Sequence, residues 1–157
     1  MIKKFEKEID YLKSIGADKL PHSNRSLLDH LIGTTEYLIL YNRSIDEQKA
    51  GLFHSIYGTA YYKHSEKLSI ERSEIKELIG NKAELIANIF CNTKDRTNYI
   101  ISGEWFMEPW LTKLRWLEFT NLLEQRNELK GTENIEKLGI LLNVGKSNRR
   151  IHERKRG

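Results

Sequence analysis

Three polar groups fall where helical spacing calls for apolar side chains. His30 lies inside the stripe Leu27, Leu31, Thr34, Leu38, Tyr41 and is expected to point at the core. His54 and Ser55 interrupt the apolar run Ala50-Gly51-Leu52-Phe53 and precede Ile56-Tyr57-Gly58-Thr59. Asn121 and then Glu124 and Gln125 continue the face begun by Trp110, Leu114 and Leu117. Imidazoles hold metals or move protons near neutral pH, and hydroxyls and carboxamides orient a small ligand. Taken singly, a histidine on an apolar face is ordinarily a hydrogen-bonded core residue. Taken together, the groups come from three helices, which is how a helical bundle builds a site in its core. His54 and Ser55 diverge by about 100° as helix neighbours and so form no nucleophile–base dyad. His30 is the candidate base, acting across the helix gap toward Ser55 or a water.

The elements that must position these groups follow from periodicity and caps. Ile2, Phe5, Ile9 and Leu12 mark an amphipathic helix stopped near Gly16. Pro21-His22-Ser23-Asn24 is a turn, and Ser23 or Asn24 caps a helix over 25–41. Ser44-x-x-Glu47 is a capping box that opens a third helix, expected to run to Tyr57. Helices follow from Ser69 to Gly80 and over 82–92, then a polar stretch over 93–104 in which Tyr99-Ile100-Ile101 reads as a short extended piece. Pro109 opens a long helix over 109–128, and the last helix runs from Thr132 to Asn143. The expected fold is all-α, a bundle of about six to seven helices.

The chain has 157 residues, one domain's worth, long enough to bury a core without cross-links. The formal charge of +4 is unevenly spread. Residues 146–157 hold Lys146, Arg149, Arg150, Arg154, Lys155 and Arg156 against Glu153, a net +5, which leaves −1 for residues 1–145. The expected organisation is a single domain over 1–145 with a disordered basic tail over 146–157, the one place where nucleic acid would bind. The lone Cys91 excludes an internal disulfide and reads as inert packing in a reducing compartment. The opening residues lack a signal peptide's apolar core, and no run approaches the roughly 20 apolar residues of a membrane span. A cytoplasmic protein with no membrane association is expected.

A histidine on one helix and an Ala-x-Leu-x-His run at the end of the next resembles the HD-domain superfamily of metal-dependent phosphohydrolases, in particular the RelA/SpoT-type alarmone hydrolase domains. The likeness spans about residues 25–128 and includes Leu78-Ile79-Gly80 and Thr93-Lys94. More specifically, Leu27-Leu28-x-His30-Leu31-x-Gly33-Thr34 and Ala50-Gly51-Leu52-Phe53-His54-Ser55-x-Tyr57-Gly58-Thr59 resemble a small family of stand-alone HD-like domains. By position the superfamily's metal ligands fall on His30, His54, Ser55 and Asn121, so both of its carboxylates are replaced by neutral groups. The Glu-Asp pair that handles water in alarmone hydrolases falls on Gly58 and Thr59.

Two functional expectations follow. The resemblance implies a divergent metal-dependent phosphohydrolase acting on a nucleotide or small phosphoester, with His30, His54, Ser55 and Tyr57 catalytic. His30 and His54 would then hold one divalent ion (zinc, iron or manganese), joined by Glu36, Glu118 or Glu124. The alternative is a catalytically inactive small-molecule binding or regulatory domain, with a nucleotide-like ligand met by Arg25, Thr59, Asn121, Glu124 and Gln125 around the two histidines. A third role, a docking surface, would use Trp105, Phe106, Met107 and Trp110, which serve equally as the end plug of a core.

Overall fold

The computed structural model describes residues 2–58 and 70–145. After a 3₁₀ turn at Ile2–Phe5, the elements in order are α1 (Glu6–Ser14), the two-residue strands β1 (Pro21–His22) and β2 (Arg25–Ser26), α2 (Leu27–Leu40) and α3 (Ile45–Phe53). Then come α4 (Arg72–Ile79), α5 (Asn81–Asn92), α6 (Arg96–Ser102), α7 (Trp110–Gln125), a 3₁₀ turn at Arg126–Glu128 and α8 (Glu133–Leu141). The described residues thus form an all-α bundle with one small antiparallel hairpin, Pro21 opposite Ser26 and His22 opposite Arg25. Thr59 and the basic tail lie outside the described residues.

Helix α2 is the central strut. It packs on α3 along one side and on α7 along another. One apolar cluster, including Phe5, Leu12, Leu31, Phe53 and Ile75, joins α1, α2, α3 and α4. A second, including Leu38, Phe90, Leu114, Leu117 and Leu138, joins α2, α5, α7 and α8. The α2–α3 contact depends on a glycine. A Cβ on Gly51 would sit 2.6 Å from Leu38 Cδ1 and 2.9 Å from Thr35 Oγ1, so any side chain there would push the helices apart. That close approach is what carries the end of α3 to the wall of α2.

Several boundaries differ from the sequence reading. The cap of α2 is Ser26, whose hydroxyl accepts from the Asp29 backbone in a full capping box, rather than Ser23 or Asn24. The expected box at Ser44 and Glu47 does open α3. That helix stops at Phe53, however, four residues before Tyr57, and residues 54–57 form a turn closed by Gly58 at φ +79°. Residues 96–102 are helical, including Tyr99-Ile100-Ile101, where the sequence leads one to expect a short extended piece within a turn-like stretch. The final carbonyls of α6, Ile100 and Ile101, accept from the Arg115 guanidinium at 2.9 and 3.0 Å, a tertiary cap that no local pattern announces. No helix among the described residues is long and apolar enough to cross a membrane.

Candidate functional site

His30 comes from the first turns of α2, and His54 is the residue that ends α3. Both are fully buried, and their rings meet edge to face with the two Nε2 atoms 3.1 Å apart. Each ring is fixed from its far side. His54 Nδ1 lies 2.7 Å from the Gly51 carbonyl oxygen, an acceptor that the end of the helix leaves open, so Nδ1 carries the proton and donates. His30 Nδ1 lies 2.5 Å from Glu124 Oε2. That same oxygen accepts from the Arg25 guanidinium at 2.6 Å, so it faces His30 Nδ1 as an acceptor and Nδ1 is the donor. Burial, followed by nearby His22 and Arg25, pushes the imidazolium pKa of His30 down to about 2. Burial and then His30 hold His54 well below the usual histidine range. Both rings are therefore neutral, with Nδ1 protonated and a bare lone pair on each Nε2.

Asn121, buried on α7, completes the group. Its Nδ2 donates to Glu118 Oε2 at 3.3 Å, and a carboxylate oxygen only accepts, so the amide orientation is determined. Its Oδ1 then stands 3.2 Å from His54 Nε2 and accepts from the Gln125 amide at 2.9 Å. Gln125 Nε2 also reaches His30 Nε2 at 3.4 Å. Three acceptors (His30 Nε2, His54 Nε2 and Asn121 Oδ1) thus face one another, and the Gln125 amide is the donor set against them.

A cavity of about 370 Å³ opens beside this group, and His30, Ser55, Asn121 and Gln125 form part of its wall. The cavity wall also holds His22, Arg96 and Thr97, which helical periodicity does not mark. His22, on the hairpin, stacks on the His30 ring with centroids 4.2 Å apart. Arg96, at the start of α6, lies over the Phe90 ring at 4.2 Å and reaches Glu118 Oε2 at 3.4 Å. Thr97 donates to Glu118 Oε1 at 2.5 Å. Sequence pattern marks His22 only as part of a turn, and it places Arg96 and Thr97 in a polar, turn-like stretch. The hairpin is held down where Arg25 bridges to Glu124 on α7, with Glu128 at 3.7 Å.

Two expected site residues are placed otherwise. Tyr57 donates from its hydroxyl to Glu84 Oε1 at 2.9 Å and belongs to a separate polar cluster. Arg25 binds its own protein's carboxylates and acts as the hairpin's clamp. Cys91 is packing, as expected: its thiol donates to the His54 carbonyl at 2.5 Å, and burial pushes its pKa up to about 12.

A family model described as a domain of unknown function, DUF6817, matches residues 11–96, more than half of the chain. The chain belongs to that family. No curated protein and no solved structure matches the chain significantly. The DUF6817 segment carries His22, His30, His54, Ser55 and Arg96, whereas Glu118, Asn121, Glu124 and Gln125 on α7 lie beyond it.

The divalent ion implied by the HD-like resemblance does not fit this donor set. The converging atoms are two neutral imidazole nitrogens and a carboxamide oxygen, with no anionic ligand among them, whereas a hard catalytic ion favours carboxylate oxygens. Glu118 is committed to Thr97, Asn121 and Arg96, and Glu124 to Arg25 and His30. Among the described residues no group of three or more His, Cys, Asp or Glu side chains is arranged to hold a metal.

Proposed function

We propose that this DUF6817 chain is a small-molecule binding domain on an HD-like helical scaffold, in which the metal-holding carboxylates of that superfamily have given way to neutral hydrogen-bonding groups. The observation that carries this reading is the buried His30–His54 pair, locked neutral from behind and presenting acceptors beside a polar cavity. A volume of about 370 Å³ is at the lower end for ligand pockets and suits a compound of nucleoside size or smaller. The histidine pair, 24 residues apart on consecutive helices, and the contribution of Asn121 from the long α7 support the HD-like scaffold. The phosphohydrolase reading has the same spacing in its favour but finds no carboxylate turned toward the meeting point.

The test is a thermal-shift and calorimetric screen of nucleosides, nucleotides, amines and small organic acids against the untagged chain and Leu122→Trp. Leu122 lines the cavity, and the larger ring fills it. A ligand present at a hundred times its Kd stabilises the wild-type chain by about 2.7 kcal/mol. The expected result is such a shift in the wild type and its loss in folded Leu122→Trp. About one equivalent of zinc, iron or manganese copurifying with the chain, and lost in His54→Ala, would instead revive the hydrolase.

A further inference from the structure

We infer that the cavity takes a small organic acid, seating its carboxylate on the guanidinium of Arg96. The inference rests on the binding reading above and adds the chemistry of one end of the ligand. Arg96 carries a charged side chain only 9% exposed, and it forms part of the cavity wall. Its guanidinium is held in place from two sides: it lies over the Phe90 ring at 4.2 Å, and Nε donates to Glu118 Oε2 at 3.4 Å. A fork fixed in this way gives up little further freedom when it binds, and its planar edge matches a carboxylate in two parallel N–H···O bonds. Burying a guanidinium is costly, and the pairing with Glu118 is neither short nor two-pronged.

The charges around the cavity point the same way. Glu118 is the carboxylate on the wall, and its oxygens accept from Thr97, Asn121 and Arg96. Glu124, behind His30, accepts from Arg25 and from His30 itself. Both acids are thus turned to donors of the protein, and Arg96 is the one arginine or lysine among the described residues that line the cavity. A single guanidinium beside Glu118 suits one negative charge. The second charge of a phosphate monoester would face Glu118 without compensation. Leu122 and Leu129 give the same cavity, about 370 Å³, an apolar part for the body of the acid.

The test is calorimetric titration of the full chain with three probes that share one ring and differ in the head: sodium benzoate, benzamide and phenylphosphonate. Adenosine runs in parallel, all at constant ionic strength. Saturable binding of benzoate is expected, about tenfold or more tighter than benzamide or phenylphosphonate, and absent in folded Leu122→Trp. Arg96→Gln is expected to weaken benzoate about tenfold or more, the effect of removing a charge-assisted donor. That variant leaves Glu118 buried without its cation, so Glu118→Gln decides the matter should Arg96→Gln not fold. Removing the negative charge from the wall is expected to tighten benzoate about tenfold and to leave benzamide unchanged. Equal affinity for benzoate and benzamide, tighter binding of phenylphosphonate than of benzoate, or benzoate binding that neither folded variant moves would overturn the acid head. If benzamide or adenosine binds while benzoate does not, the pocket stands and the inference falls. If none of the probes binds, both fall.

Discussion

Two buried polar clusters flank the turn at residues 54–57, and they are built on opposite principles. On one side Glu84, fully buried on α5, accepts from Tyr57 at 2.9 Å and from the Arg72 guanidinium at 2.7 and 2.9 Å. Burial alone would raise its carboxyl, but Arg72 and Tyr57 outweigh burial and hold it below the usual range. Donors and acceptors match, and the cluster ties α4, α5 and the turn together. On the other side the His30–His54–Asn121 group has acceptors in excess and a cavity beside it. A saturated polar cluster is accounted for by stability; a buried excess of acceptors has to be explained by what it binds. The same turn serves both, with Tyr57 bound into the closed cluster and Ser55 facing the open one.

The largest separation of the two clusters is expected in acid. Both histidines are neutral when folded, with pKa values lowered from an ordinary value of about 6.5. The unfolded chain therefore takes up protons first, and stability present above that pH is lost as pH falls below it, by about 1.4 kcal/mol per pH unit for each ring. Glu84 is lowered too, but its share is lost only below the ordinary carboxyl value of about 4.3. Urea midpoints measured from pH 7 to pH 5 test this: a steep fall is expected in the wild type and a fall of half the slope in His30→Leu.

Next in size is Glu84→Ala, which leaves the Tyr57 hydroxyl and Arg72 without their acceptor and is expected to cost roughly 2–3 kcal/mol at pH 7 in urea unfolding. It should leave ligand binding at the open cluster unaffected. Gly33→Ala is a finer probe. A Cβ there would fall 2.8 Å from Glu124 Cγ and 2.9 Å from its Oε1, so the carboxylate must swing away from His30. The better helix propensity of alanine offsets the crowding, and the net change is expected within about 1 kcal/mol. A strongly downfield His30 Nδ1 proton signal is expected in the wild type and is expected to weaken or vanish in Gly33→Ala. Smallest of all is Trp105→Ala, at a side chain 77% exposed and stacked on Tyr99, where a change within about 0.5 kcal/mol is expected by thermal denaturation.

Much of the open cluster was legible in the sequence because helical periodicity reports which way a residue faces. His30 shares the stripe of Leu27, Leu31 and Leu38, and Asn121 lies one turn beyond Leu117, and the structure buries all of them. Periodicity says nothing about hydrogen bonds made over long sequence distances. The Tyr57 hydroxyl was captured by Glu84, 27 residues on, and Glu124 by Arg25, 99 residues earlier. Helix α6 was missed for the same reason: its end is capped by Arg115 of α7, and its first residues are held through Glu118. The early end of α3 was hidden because Ile56 continues the apolar run, while the stop itself lies in the ring of His54 taking the Gly51 carbonyl.

The central claim is the protonation pattern, and long-range ¹H–¹⁵N correlation of the histidine side chains at pH 7 reads it directly. Both His30 and His54 are expected as neutral rings with the proton on Nδ1 and Nε2 bare. A proton on either Nε2, or an imidazolium in either ring, would supply the missing donor from within the pair and contradict the account.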